Sequence, residues 1–254
     1  MPKAIGRNAR IWINQANVSG DLNDMTIGHE GDTPENTAYG STNHTFETDG
    51  LRTWSVSWSG LFNDTNTAGG LGVEAMVSLS GEVAGSGLAG AWWRGHSTCM
   101  IGYEGDVVIQ SLNVSTPLAD MATSDGTLSG CGWLARTRSL SGSIISSSTA
   151  ASTYSTCSFD NSVSTTKVIY GILRVPQASA TTAGSLQAVI QHSGDDSSWA
   201  TLIAFTTFDV TNGSTFEAKS VSGASRYLRA GYAIGGATGS DSQVALFISG
   251  GPVI

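Results

Sequence analysis

The chain has 254 residues, a formal net charge of −8, only 12 Lys plus Arg and 32 glycines. That length suits one large β domain or two smaller ones, and a chain of this size buries enough surface to fold without disulfide staples. The scarcity of cations excludes the basic stripe that grips phosphates, whereas an acidic wall that nucleic acid passes without sticking is compatible with the charge.

The chain opens with a short strand and a turn in "NARIWINQANVSG" (Asn8–Gly20). The polar stretch Asp21–Gly50 follows, punctuated by Gly, Pro and Asn, with short extended pieces expected at Met25–Ile27 and Thr45–Glu47. A connection this long with so little regular structure is often functional. Trp54–Phe62 then alternates with period two, as a half-buried strand does. Trp54, Val56, Trp58 and Phe62 fall on one face; Thr53, Ser55, Ser57, Ser59 and Leu61 fall on the other.

The best helix candidate lies in Gly70–Gly87. Val73, Met76, Val77 and Ser80 share one side there, and Gly81 is a plausible stop. Ala91–Met121 reads as two or three strands, and Gly126–Leu140 as another. Ser141–Thr166 shifts toward Ser and Thr and marks a soft boundary, through which strands are able to run. A more regular meander closes the chain: Lys167–Val175, Ser185–Ser193, Trp199–Val210, Ser225–Ile234 and Gln243–Gly250 are strands separated by turn signals. Such spacing suggests a sandwich or jelly roll.

Motifs that carry chemistry are weak. "GSGLAG" (Gly85–Gly90) matches G-x-G-x-x-G, but the segment after it reads as strand, so the βαβ context of a dinucleotide site is missing. "GHSTC" (Gly95–Cys99) lacks the closing glycine of a nucleophile elbow. His29, His44, His96 and His192 lie far apart, with no metal-ligand spacing. Asp195 and Asp196 read as a polar turn between strands with too few oxygens for calcium. Cys99, Cys131 and Cys157 show no C-x-x-C, and buried free thiols are expected. Trp92, Trp93 and Trp199 allow a sugar-stacking platform, but aromatics at alternating strand positions mostly fill cores or subunit contacts. No catalytic residue, cofactor or metal is expected, and the protein reads as no enzyme.

No apolar run approaches the about 18 residues of a membrane span, and "MPKAIGRNARIWINQ" lacks a signal peptide's apolar core. The expectation is a chain made in the cytosol, or assembled there into something larger, with no membrane partner.

Ile11–Asp64 resembles bacteriophage tail tube (major tail) proteins. A short strand leads into "VSGDLNDM"; "NTAYG" places Thr37 and Gly40 on a recurrent Thr-x-x-Gly element; "DGLRTWSVSWSGLFND" matches a Gly-Leu, alternating-strand, Gly-aromatic-x-Asp pattern. The likeness is strong over the first quarter and looser to about residue 140. The last quarter is similar to the C-terminal module of some longer phage tail proteins and to discoidin-type jelly rolls, through "LQAVIQHSGDDSSWATLIAFT" and "GASRYLRAGYAI".

The resemblance implies a mainly β fold: a tail-tube-like β-sandwich or barrel with one short helix over residues 1–140, then a second, jelly-roll or Ig-like β-sandwich over 141–254. It implies a virion structural protein of the phage tail, assembled in the host cytoplasm. Copies would self-assemble as hexameric rings or trimeric pseudo-hexamers, stacked into a conduit that DNA occupies only in transit. Tape measure and tail-end proteins would be further partners. Thr37, Tyr39, Gly40, Trp54, Trp58 and Phe62 are the assembly candidates. The alternative is a tail decoration or receptor- or carbohydrate-binding β-sandwich.

Overall fold

The computed structural model describes residues 10–14, 16–17, 22–31, 52–61, 66–67, 70–71, 88–93, 99–118, 120–146, 153–155, 158–160, 164–179, 184–235 and 243–253. The protein is mainly β, and its strands pair antiparallel. In the first part of the chain these are β1 (Arg10–Ile13), β2 (Ala16–Asn17), β3 (Leu22–Gly31), β4 (Arg52–Leu61), β5 (Asn66–Thr67), β6 (Gly70–Leu71), β7 (Leu88–Trp93), β8 (Ile101–Ser115) and β9 (Thr123–Ser146). The second part contributes β10 (Thr153–Tyr154), β11 (Phe159–Asp160), β12 (Thr165–Ser179), β13 (Ser185–Ser193), β14 (Ala200–Ala204), β15 (Phe208–Asp209), β16 (Thr215–Ala224), β17 (Tyr227–Gly235) and β18 (Gln243–Pro252). Among the described residues, one 3-10 turn, Val210–Asn212, is capped by the Asp209 side chain. The residues of the expected helix face, Val73 to Ser80, lie outside the described residues, as does Thr45–Glu47.

β9 is the spine of a ten-stranded sheet ordered β16-β12-β18-β9-β8-β7-β1-β2. It carries β8 along one edge and two different strands along the other. β4 pairs with Thr123–Ser129, and β18 with Arg138–Ser146. Position 140, where the composition shifts, therefore lies inside a continuous strand. β3 pairs with β4, so β3-β4-β9-β8 forms a four-stranded apron.

The sheet is strongly rolled. β1 lies four strand steps from β18, about 19 Å if flat, yet Trp12 stacks on Phe247 with ring centroids 5.6 Å apart. From the end of β1, the Asn14 carbonyl accepts a 2.8 Å hydrogen bond from Arg174 Nε of β12.

The second sheet runs β10-β17-β13-β14, with β11 also on β17 and β15 also on β13. It packs face to face on the β12-β18-β9 side of the first sheet. Ile169, Leu173, Val175, Val244, Leu246, Ile248 and Leu140 come from one side of this core; Leu186, Ala188, Ile190, Ile203, Leu228, Ala230 and Ile234 come from the other. The period-two pattern in β13, where Leu186, Ala188 and Ile190 are buried, is what makes this a sandwich. Gly171 makes the close packing possible: a Cβ there would stand 2.6 Å from Ile190 Cδ1.

Candidate assembly surface

Strand alternation gives the apron two unlike faces. On one, Asp24, Thr26, Gly28 and Glu30 of β3 pair with Ser59, Ser57, Ser55 and Thr53 of β4. These continue through Ser129, Thr127 and Asp125 of β9 to Val108, Ser111 and Asn113 of β8. The result is a face of hydroxyls and carboxylates four strands wide. Thr53, Ser57 and Ser59 are exposed. The face is braced internally: Asn113 Nδ2 donates to Asp125 Oδ2 at 2.9 Å, and Ser129 Oγ to Gln110 Oε1 at 2.7 Å. β3, β4, β8 and Thr123–Gly130 of β9 contain no Lys or Arg apart from Arg52 at the start of β4. Among the described residues, the outer edge of β3 pairs with no other strand.

The reverse face is a core. Trp54, Val56, Trp58, Val107, Leu128, Leu134 and Ile13 are buried together, with Met25 and Ile27 of β3 packed against them. Glycines on the neighbouring strands accommodate the indoles. A Cβ at Gly130 would fall on the Trp54 pyrrole ring, one at Gly105 would stand 2.6 Å from Trp54 Cζ2, and one at Gly126 would stand 2.8 Å from Trp58 Cζ2. The rings thus lie directly on glycine backbone, which stiffens the apron from behind. The Nε1 atoms of Trp54 and Trp58 are buried and meet no hydrogen-bond acceptor among the described residues.

A buried ion pair locks the roll. Arg174 Nη1 of β12 meets Glu104 Oε1 of β8 at 2.5 Å, with both side chains fully buried. Ser249 Oγ of β18 donates to Glu104 Oε2 at 2.7 Å, and Arg174 Nε donates to the Asn14 carbonyl. Burial pulls the Arg174 guanidinium down, while the Glu104 carboxylate opposes that shift by charge and hydrogen bond. Arg174 Nη2 meets no hydrogen-bond partner among the described residues.

Of the residues expected to mediate assembly, Trp54 and Trp58 turn into the core behind the polar face. Thr37, Tyr39, Gly40 and Phe62 lie outside the described residues. Gly31 and Arg52 pair at one end of the apron and bracket the segment that carries Thr37, Tyr39 and Gly40. β3 is longer than the expected Met25–Ile27. Its polar residues alternate with Met25 and Ile27, a signal diluted by Asn, Asp and Gly. The thiols differ from expectation: Cys99 is disulfide-bonded, and Cys131 is free and exposed rather than buried. Cys131 sits on β9 at a solvent-facing position, which its Gly-Cys-Gly context did not reveal. Asp195 forms the expected turn, accepting from Ser193 Oγ and from the backbone N–H groups of Ser197 and Ser198. Those bonds hold its carboxyl below the usual carboxylate range.

No protein-family profile matches the chain, and no curated protein matches it. Among solved structures, the chain is similar to a protein of the virion of a native gene transfer agent particle, at 17% identity over 53% of this chain and 98% of that one, TM-score 0.44. It is similar to one in the tail of an empty gene transfer agent particle with C6 symmetry, at 18% identity over 45% of this chain and 80% of that one, TM-score 0.38. It is also similar to the SPP1 Dit protein, described as a hub adsorption apparatus of phages infecting Gram-positive bacteria. That match has 7% identity over 95% of this chain and 98% of that one, TM-score 0.34.

Proposed function

We propose that this protein is a non-enzymatic structural component of a phage tail, joining copies of itself into stacked rings that form the tail tube. The observation that carries the reading is the apron: one face of hydroxyls and carboxylates almost free of cations, backed by a tryptophan core and ending in the edge of β3. A sheet edge carries unpaired N–H and C=O groups that a neighbouring strand satisfies, and head-to-tail contacts of this kind close into rings when the rotation permits. With the polar face turned inward, the bore hydrogen-bonds water and repels phosphate, so DNA passes without being held. The likeness of Ile11–Asp64 to tail tube proteins points the same way.

In this reading the rings are hexamers or trimeric pseudo-hexamers, assembled in the host cytoplasm and resident in the virion tail. The tape measure and tail-end proteins are the other partners. The unit over residues 1–140 builds the tube, and residues 141–254 complete a sandwich that projects outward. The segment holding Thr37, Tyr39 and Gly40 supplies the contact between stacked rings. Negative-stain microscopy of the purified protein at rising concentration tests this. Uniform rings or tubes are expected; particles that stay single at every concentration would contradict it.

A further inference from the structure

The outer face of the second sheet carries a cluster that the assembly reading does not use. Leu228 and Ala230 of β17 enter the sandwich core, so Arg229 between them points outward. Its guanidinium carbon lies 4.3 Å from the centroid of the Tyr154 ring and 4.1 Å from that of Trp199. Its Nε donates to Gln191 Oε1 at 2.9 Å, across the β13–β17 register.

Each member is held by its own backbone. Gly231 leaves room for Tyr154, since a Cβ there would stand 2.7 Å from Tyr154 Cδ1. Ser155 bonds back to Ala230 through N–H and Oγ. The Asp195 turn immediately precedes Trp199 and sets its position. Tyr154 is 43% exposed, and Trp199 is partly exposed.

We propose that this cluster is a binding site for a neutral hexose unit of a saccharide. Arg229 covers one face of each ring; the exposed remainder of Tyr154 and Trp199 meets sugar C–H groups, and the planar ends of Arg229 and Gln191 offer N–H donors to adjacent hydroxyls. The cation fixes both rings in advance, which reduces the ordering cost of binding, about 0.5–1.5 kcal/mol per immobilised side chain. Local charge selects a neutral ligand over an acidic one. Arg226 is already paired in bidentate fashion with Asp160, and Asp195 and Asp196 stand on the adjoining turn. These two arginines and three carboxylates carry no net positive charge between them.

The site does not depend on ring formation, so the two readings fail separately. The test is saturation-transfer NMR of the full chain with lactose, maltose, cellobiose and laminaribiose, and with galacturonate as the anionic comparison. At least one neutral disaccharide is expected to receive saturation. Its affinity should fall by about tenfold in Trp199→Ala and again in Gln191→Ala, which keeps Tyr154, Arg229 and Trp199 themselves. Thermal melts establish that each variant is folded. Transfer to none of the four, transfer to galacturonate alone, or unchanged affinity in folded Gln191→Ala would overturn the proposal.

Discussion

Replacing Glu104 by Gln tests how the rolled sheet is held. Both charges of the Glu104–Arg174 pair are fully buried, so the substitution strands a buried guanidinium. Removing one partner of such a pair costs about 3–5 kcal/mol, because the remaining charge stays buried. For a chain of this size each kcal/mol moves Tm by about 2–4 °C, so Glu104→Gln should melt about 6–20 °C lower. The double variant Glu104→Leu/Arg174→Met removes both charges together, and replacing a whole buried pair by apolar groups is often neutral. It should recover most of the loss. Calorimetric melts of wild type, Glu104→Leu, Arg174→Met and their double variant close the cycle. A Glu104→Gln variant melting within about 2 °C of wild type, or a double variant worse than either single one, would refute the assignment of the pair as the lock.

Gly130→Ala places a methyl group on the Trp54 indole. Overpacking of this kind costs about 1–3 kcal/mol, to be read as a lower denaturation midpoint. Gly28→Ala on the polar face of the same apron meets only Ser55 Oγ at 3.3 Å and should change stability by less than about 0.5 kcal/mol. The hydrogen bonds of its turn hold the Asp195 carboxyl below the usual carboxylate range in the folded state. Its turn therefore adds stability above roughly pH 4 that is lost as pH falls through the lower, folded value. Melts between pH 2 and 6 should show a steeper acid-side decline for wild type than for Asp195→Asn, measured with about the same buffer salt.

Where one face of a strand is buried, the sequence announced the strand. Ser185–Ser193 is the same span in both readings, and Trp54–Phe62 matches β4 to within the ends, because Leu186, Ala188 and Ile190, or Trp54, Val56 and Trp58, alternate with polar neighbours. β16 went unread: Glu217, Lys219, Ser220 and Ser222 leave it few apolar positions, since it packs at the sheet's outer edge. Trp199–Val210 looked like one strand and is β14, a break at Phe205 and β15, because buried Phe205 turns inward where the ladder stops. The spine β9 extends six residues past Leu140 into a Ser/Thr-rich stretch, because pairing with β18 supplies what hydrophobic pattern does not. At the candidate surface, the hydroxyl face of β4 was legible. Its continuation over β3, β9 and β8 is a matter of register, and strand pairing is not written in any one segment. Arg174 and its partner Glu104 stand 70 residues apart, so their pairing is not legible in either segment.

A reconstruction of assembled particles by electron cryomicroscopy tests the central claim most directly. The account predicts rings in which the outer edge of β3 meets a neighbouring copy and Thr26, Ser57, Ser59 and Thr127 line the bore. A bore lined by lysine and arginine, or copies whose β3 edges touch no neighbour, would contradict it.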